Sequence, residues 1–570
     1  MKRMKKICAF GLAFTLAIGL CACSGSSDST GKTTDGDNNE EETPVKIQSM
    51  FTNAIETLDA QAATDETSME VIANFTDGLK QQADDGSIVN ALCAEESVSD
   101  DKTVYTFTLR EDATWSNGEP VTAHDFVCGW QRAVNPDNED GNPNGYLFSD
   151  VAQIKGAAAI LAGKKDVSEL GVRAIDDYTL EVTLKCPVDN FDELLCLPAF
   201  YPACVSYVES AGEDYATDCD HVLSNGAFTL TDYDTSTNWI QFEKNEDYYD
   251  ADSITVSELN YKIVQDSQSA ILDYEDGHLD TITLSGEHAL DDIEDASSKS
   301  IDTGALWYLS PNTVRYKELD NKNLRKALTY AIDRDSLTND ILNNGSTAAY
   351  SAVATGVDVN PKNDSDFTSG AEYSDYIGYD TKLAQKYLKK AFKQLGVTAF
   401  ELELLVDDDE TSQALGAAIK SQIESTLSGV TISLRIEPKA QRLADQADGN
   451  YCLALTCLSG YYSDASAYLE AFTSSKSNSR NYGALSDEKY DFLIYSVLDN
   501  SLSSAKACYK SLKKAEERLM KQAVMIPLYQ EYDMVFTRSS VSNVVYHNSG
   551  ILRSFKHATK DMSVNVEEDE

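Results

Sequence analysis

Apolar residues recur along this chain either at every second position or at three- and four-residue steps, and the switch between the two periods predicts its elements. From Val104 to Arg110 the side chains alternate, with Tyr105, Phe107 and Leu109 on one face and Thr106, Thr108 and Arg110 on the other. That is the pattern of a half-buried strand. Asn117-Gly118 then reads as a tight turn. Thr122, followed three residues later by Asp125, predicts a helix start: the hydroxyl can take a backbone N–H of the first turn while the carboxylate faces back toward the cap. Phe126, Val127, Trp130, Ala133 and Val134 fall on one face of that helix, and Asn135-Pro136 stops it. The unit is one strand-turn-helix of an α/β domain.

The same two periods recur on either side. Val45-Lys46-Ile47 predicts a short strand, and Leu180, Val182 and Leu184 alternate until Pro187 breaks the run. WIQF (239–242) and ITVSELNYKIV (254–264) alternate as well, ahead of the helical-looking SQSAILDYEDGHLDTI (267–282). Beyond residue 305 strands and helices take turns. Leu324, Ala327, Leu328 and Ala331 make one helical face; Thr381 caps a run bearing Ala384, Leu388, Ala391 and Leu395, which Gly396 closes. FELELLV (400–406), a helix through Leu415, Ile419 and Ile423, and VTISLRIE (430–437) form a strand-helix-strand unit of the kind that builds parallel sheet. Ser486 begins another helix, and residues 505–522 a further one before the apolar strand VMIPLY.

At 570 residues the chain predicts two or three folding units and a large core. Its first residues are a secretory leader: Lys2, Arg3, Lys5 and Lys6, an apolar run from Ile7 to Leu20, then Leu20-Cys21-Ala22-Cys23. That run is short for a membrane span. Ala22 before Cys23 resembles a lipobox, which implies cleavage before Cys23 and a diacylglycerol on its thiol. Residues 24–43 hold no large apolar side chain and read as a polar tether. Gly31-Lys32-Thr33 only imitates a phosphate-binding loop, since Gly25 stands one residue too far and no strand precedes it.

The formal charge is −47, and losing the four basic leader residues leaves −51. Such acidity excludes nucleic acid as a partner and suits a solvated surface. Twelve cysteines include three in the leader; the other nine are scattered without a CxxC pair. An odd, scattered set predicts buried thiols, not a disulfide framework. HExxH, GxSxG and a GxGxxG after a strand are all missing, and the six histidines are far apart. No enzyme chemistry is legible.

One longer run carries more specific information. Ala94, Asp101, TVYTFTLR (103–110), Asp112-Ala113, Trp115-Ser116, Gly118, Pro120-Val121-Thr122-Ala123 and Asp125-Phe126 stand in order without a gap. They resemble the signature of family 5 solute-binding proteins of ABC importers, and VRAIDDYTLEVTLKCPVDNF (172–191), SNGAFTL (224–230) and NLRKALTYAIDRD (323–335) extend the likeness over nearly all of residues 45–555. The resemblance implies an α/β, type II periplasmic-binding-protein-like fold, with two lobes around a ligand cleft and an extra inserted subdomain. The organisation it implies is a lipoprotein signal peptide (1–22), a tether (23–44), lobe I (45–90, 219–304 and 531–570), its inserted subdomain (91–218) and lobe II (305–530). The function it implies is capture of peptides outside the cell and delivery to membrane permease subunits by a monomer anchored through lipid at Cys23, with no cofactor and no catalysis. The rival reading is a surface lipoprotein of the same fold that senses peptides or binds another solute.

The resemblance also nominates a site. The loop LDAQAATDETS (58–68) is similar to one that borders the family's cleft, which nominates Thr64 and Asp65. The family's most informative pocket segment matches residues 451–469 and nominates Leu458, Ser459, Gly460, Tyr461, Tyr462 and Asp464. Relatives carry a tryptophan near Leu458 and Ala-Asp-Tyr-x-(Asp/Glu)-Pro against 460–465, whose first acid pairs with the peptide's α-ammonium. Here Tyr461 stands at that acid's position, while Tyr462 and Asp464 keep the pattern.

Overall fold

A computed structural model describes residues 44–563, except 139–141, 235–237, 291–292, 370–372, 374, 476–477, 479 and 503. The leader, Cys23 and the tether lie outside the described residues.

The chain opens with strand β1 (Lys46–Phe51) and helix α1 (Glu66–Phe75). It then builds a separate antiparallel sheet from β2 (Cys93–Val98), β3 (Val104–Leu109), β4 (Val172–Asp176) and β5 (Thr179–Thr183), in the order β2-β3-β5-β4. Strand β3 buries Tyr105, Phe107 and Leu109, the face its alternation predicts. Across that sheet packs α2 (Ala123–Val134), entered through the Gly118 turn at φ +85°. Asp125 accepts the Thr122 amide at 2.8 Å and the Trp115 indole N–H at 3.3 Å on one oxygen, and the Val205 amide at 3.0 Å on the other. The carboxylate thus ties turn, cap and a chain segment 80 residues away. Trp130 is fully buried, donates its indole N–H to the Phe200 carbonyl at 2.8 Å, and meets Phe148 and Phe200 edge-on. Truncating such an aromatic to alanine costs about 3 to 5 kcal/mol.

The chain then returns to β1. Strands β6 (Phe228–Asp234), β7 (Trp239–Lys244) and β8 (Glu258–Ile263) complete a sheet in the order β1-β8-β7-β6, with β1 parallel to β8. The helical-looking stretch that follows is helical only to Glu275; Thr281–Leu284 forms strand β9.

Strand β10 (Ala296–Pro311) leads to α3 (Lys322–Ala331), α4 (Thr381–Leu395), β11 (Phe400–Asp407), α5 (Glu410–Thr426), β12 (Val430–Glu437), α6 (Lys439–Ala447), β13 (Leu453–Leu458), α7 (Glu488–Leu498), α8 (Ala505–Gln522) and β14 (Ile526–Arg538). These strands form one sheet in the order β9-β14-β10-β13-β11-β12, and β11 and β12 pair in parallel, as the strand-helix-strand pattern predicts. Two helix starts differ from expectation. The cap of α4 is Asp380, which accepts the Lys382 and Leu383 amides, and that of α7 is Asp487, which accepts those of Lys489 and Tyr490. Aspartate outcompeted Thr381 and Ser486 because its carboxylate caps and also complements the positive helix end.

Two long strands hold the architecture together. β10 and β14 pair along most of their length, with a register shift between Asp302 and Leu306. At that shift Gly304 adopts φ +68°, and a side chain there would collide with the Asn548 carbonyl. On one side of the shift β14 continues to β9; on the other β10 continues to β13.

Candidate functional site

Where β1, β8 and β11 end, their carboxyl-terminal loops face one another across a cavity of about 220 Å³. Ligands of α/β proteins gather at such strand ends. Four helix starts converge on the same space: Glu66 of α1, Ser267, Glu410 of α5 and Lys439 of α6. The β10–β14 crossing supplies its floor, where Trp307 stacks on Tyr529 at 5.8 Å, with Glu531 and Asp533 beside them.

The walls touch around this space. The Ser459 hydroxyl donates to the Glu66 carboxylate, the Ser267 amide to Glu410 at 3.2 Å, and the Ser285 and Thr411 hydroxyls meet at 2.7 Å. The cleft is closed.

Eight carboxylates line the cavity against three permanent cations, Lys439, Arg442 and Arg553. Arg442 is spoken for: its guanidinium bonds both oxygens of Asp407, at 2.6 and 3.0 Å, and Gln446 and Thr456 as well. Arg553 bonds Glu70 at 2.9 Å. Among the described residues no carboxylate stands within 4.0 Å of the Lys439 ammonium. Burial works against its charge, yet Asp65 and its other neighbours hold the ammonium above the usual lysine range. Glu66, Glu531 and Asp533 are left without a close cation of their own. Burial raises all three; the Ser459 hydroxyl offsets part of this at Glu66, Asp533 further raises Glu531 to well above the ordinary range, and Asp533 itself rises to about 6 despite Arg553. The closed cleft therefore combines aromatic surface, one uncommitted cation and protonatable acids, a set able to hold a polar, chain-like solute at both ends of its charge.

None of the residues nominated from sequence forms the wall of this cavity. Asp65 caps α1 through the Ser68 amide at 3.0 Å, and the Thr64 carbonyl accepts the Tyr461 hydroxyl at 3.4 Å. Leu458 is buried at the end of β13, opposite Leu306. Ser459 reaches the wall through Glu66. A side chain at Gly460 would meet the Tyr468 ring at 2.7 Å, so this turn requires glycine. Tyr462 is buried with its hydroxyl 3.1 Å from Ser466, and Asp464 accepts the Ser466 amide at 2.7 Å.

Tyr461 lies in a different environment. Its ring covers the Arg480 guanidinium at 5.0 Å, Tyr146 covers it at 4.7 Å, and Glu470 pairs with it. Burial raises Glu470 to about 7 even so. A cation thus sits beside Tyr461, the residue that the family resemblance sets against the relatives' acid.

The wall residues missed from sequence come from stretches scattered along the chain, among them 50–53, 66–70, 264–267, 407–412, 529–535 and 546–553. One signal was present: Asp407-Asp408-Asp409-Glu410 closes a strand of parallel sheet, the place where such folds put their sites. Cys457 lines the cavity while its neighbour Leu458 points the other way, the consequence of strand alternation. Among the described residues no helix is long and apolar enough to cross a membrane.

The family model for bacterial extracellular solute-binding proteins, family 5 (middle region), matches residues 87–480. A dipeptide-binding protein of Lactococcus lactis is 29% identical over 534 residues, spanning 90% of this chain and 94% of its own, and the Bacillus subtilis dipeptide-binding protein DppE is 27% identical over 97% and 98%. Among solved structures, Listeria monocytogenes OppA bound to peptide superposes with a TM-score of 0.85 at 32% identity, covering 91% of this chain and 99% of its own. The fold is that of type II periplasmic binding proteins, and the chain belongs to the family 5 bacterial extracellular solute-binding proteins.

Proposed function

We propose that this chain captures peptides outside the cell and delivers them to the permease of an ABC importer, held at the outer face of the membrane by lipid on Cys23. The observation that carries the reading is the cavity at the strand ends, closed by direct contacts between its walls and floored by Trp307 and Tyr529. Main-chain groups at strand ends suit the hydrogen-bonding groups of an extended peptide, which is bound much as an added strand. The volume of about 220 Å³ falls below the roughly 300 to 1,000 Å³ of pockets for drug-sized ligands, which favours short peptides.

In this reading β10 and β14 are the hinge, with residues 45–304 and the C-terminal end on one side and about 305–530 on the other; ligand closes the two sides. Thr64, Asp65 and the 458–464 segment act from the rim of the cleft. A second reading, a peptide sensor, draws on one likeness: the solved structure of the pheromone receptor PrgZ superposes with a TM-score of 0.84 at 30% identity. Uptake separates the two. A strain lacking the chain should lose import of labelled di- and tripeptides; normal import with a lost transcriptional response to peptide would favour the sensor.

A further inference from the structure

In a chain where acids outnumber bases two to one, one face carries the opposite sign. Helices α3 and α4 together hold eight lysines and arginines and not one aspartate or glutamate. Lys382, Lys386, Lys389, Lys390 and Lys393 of α4 are all exposed. The basic surface continues onto α3 and α8 through shared aromatic rings. Lys326 stands over Tyr376 and Tyr387, Lys390 over Tyr387, and Lys521 over Tyr376, at 4.9 to 5.6 Å. Lys322 feels this crowding: burial and then Lys326, Arg325 and Lys521 hold it below the usual lysine range. Among the described residues none of the five α4 lysines has a carboxylate within ion-pair distance. Helices with this many cations normally interleave them with acids at three- and four-residue steps, and these do not.

We propose that this face rests on an anionic phospholipid bilayer and sets the orientation of the protein on the membrane. The residue type favours lipid over a protein partner. Packed protein interfaces are enriched in arginine and aromatic side chains and depleted in lysine. An all-lysine α4 face offers compact, hydrated point charges, which suit a diffuse layer of phosphate headgroups. The strongly acidic remainder does not forbid the contact: at physiological salt charges beyond roughly 8 Å are screened, so the surface feels the lysines that touch it and little of the acids behind them. The inference uses the outer-face location proposed above, but its test needs no anchor.

The test uses the full chain with Cys23→Ala, so that no acyl group can be attached, and two vesicle preparations, pure phosphatidylcholine and a mixture with about a third phosphatidylglycerol. At about 0.1 M salt the protein should co-sediment with the anionic vesicles at least tenfold more strongly than with the neutral ones, and release at about 1 M. Replacing the five α4 lysines by glutamine should abolish this preference while peptide binding, measured on the same sample, stays unchanged. The double variant Lys164→Gln/Lys165→Gln, two exposed lysines elsewhere, should keep it. Equal partition to both vesicles, or equal loss in both variants, overturns the proposal. So does vesicle indifference combined with α4-dependent binding to detergent-solubilised permease, which would make the face a protein contact. Failure here leaves peptide capture standing, because the peptide titration is read independently.

Discussion

Acetylating a peptide's α-amine removes a charge and its hydrogen-bond donors, and the cost depends on what faces that amine in the cleft. Where a receptor anchors the ammonium on a buried aspartate, removing one partner costs about 3 to 5 kcal/mol, a loss of roughly a hundredfold to a few thousandfold. The family resemblance puts Tyr461 at the corresponding position, with a neutral hydroxyl already directed at the Thr64 carbonyl. A hydrogen bond from such a group nets about 1 kcal/mol. Arg480, 5.0 Å from the Tyr461 ring, makes the place less hospitable still: at an effective dielectric of about 20, a second cation roughly 5 Å from that guanidinium meets about 3 kcal/mol of repulsion, which Glu470 offsets in part. Acetylation should therefore weaken binding about tenfold or less, equivalent to roughly 1.4 kcal/mol. Calorimetry with one peptide, free and acetylated, measures it. A loss beyond about a hundredfold would refute the reasoning and place a charged anchor elsewhere. Asp65 would be the first suspect, because its second oxygen is buried without a partner, and Asp65→Asn would then remove the effect; Asp464→Asn would be the next variant.

Three further outcomes follow from other parts of the molecule. A Cys23→Ala variant should appear in the medium, and unchanged membrane association would end the lipid-anchor reading. Arg442→Met should destabilise by about 3 to 5 kcal/mol because it strands Asp407, a buried carboxylate, whereas Arg442→Met/Asp407→Leu should recover most of that in thermal unfolding; a double variant no better than the single would contradict this. Burial pushes the Asp533 carboxyl up from 3.8 to about 6, so the folded state holds the proton more tightly: its contribution is full below about pH 4 and is lost as pH rises through about 6. Asp533→Asn should flatten the fall in stability across that window, and an unaltered pH profile would count against the assignment.

The fold was legible wherever local pattern and tertiary packing agree. Tyr105, Phe107 and Leu109 alternate and are buried; VTISLRIE is strand β12 to the residue; Gly396 ends α4 in the left-handed conformation. Caps were legible only to within a residue or two, since Asp380 and Thr381, or Ser486 and Asp487, both offer an oxygen and tertiary placement chooses. The cavity was much less legible. Its wall joins Glu66, Lys439 and Glu531, which are distant in sequence and carry no shared motif. Within the pocket segment inherited from the family only Cys457 lines it, and the nominated residues start one strand position further on at Leu458. The meaning of Tyr461 changed most: sequence shows a missing acid, and the structure shows a cation in its vicinity.

The central claim is that the closed cleft holds a peptide, and the solute the protein already carries tests it most directly. Protein purified without denaturation, then unfolded in organic solvent, should release short peptides in about one equivalent per chain, identified by mass spectrometry, and a variant with Trp307→Ala and Tyr529→Ala, the stacked floor, should release far less. Release of a single non-peptide solute, undiminished in that variant, would contradict the account.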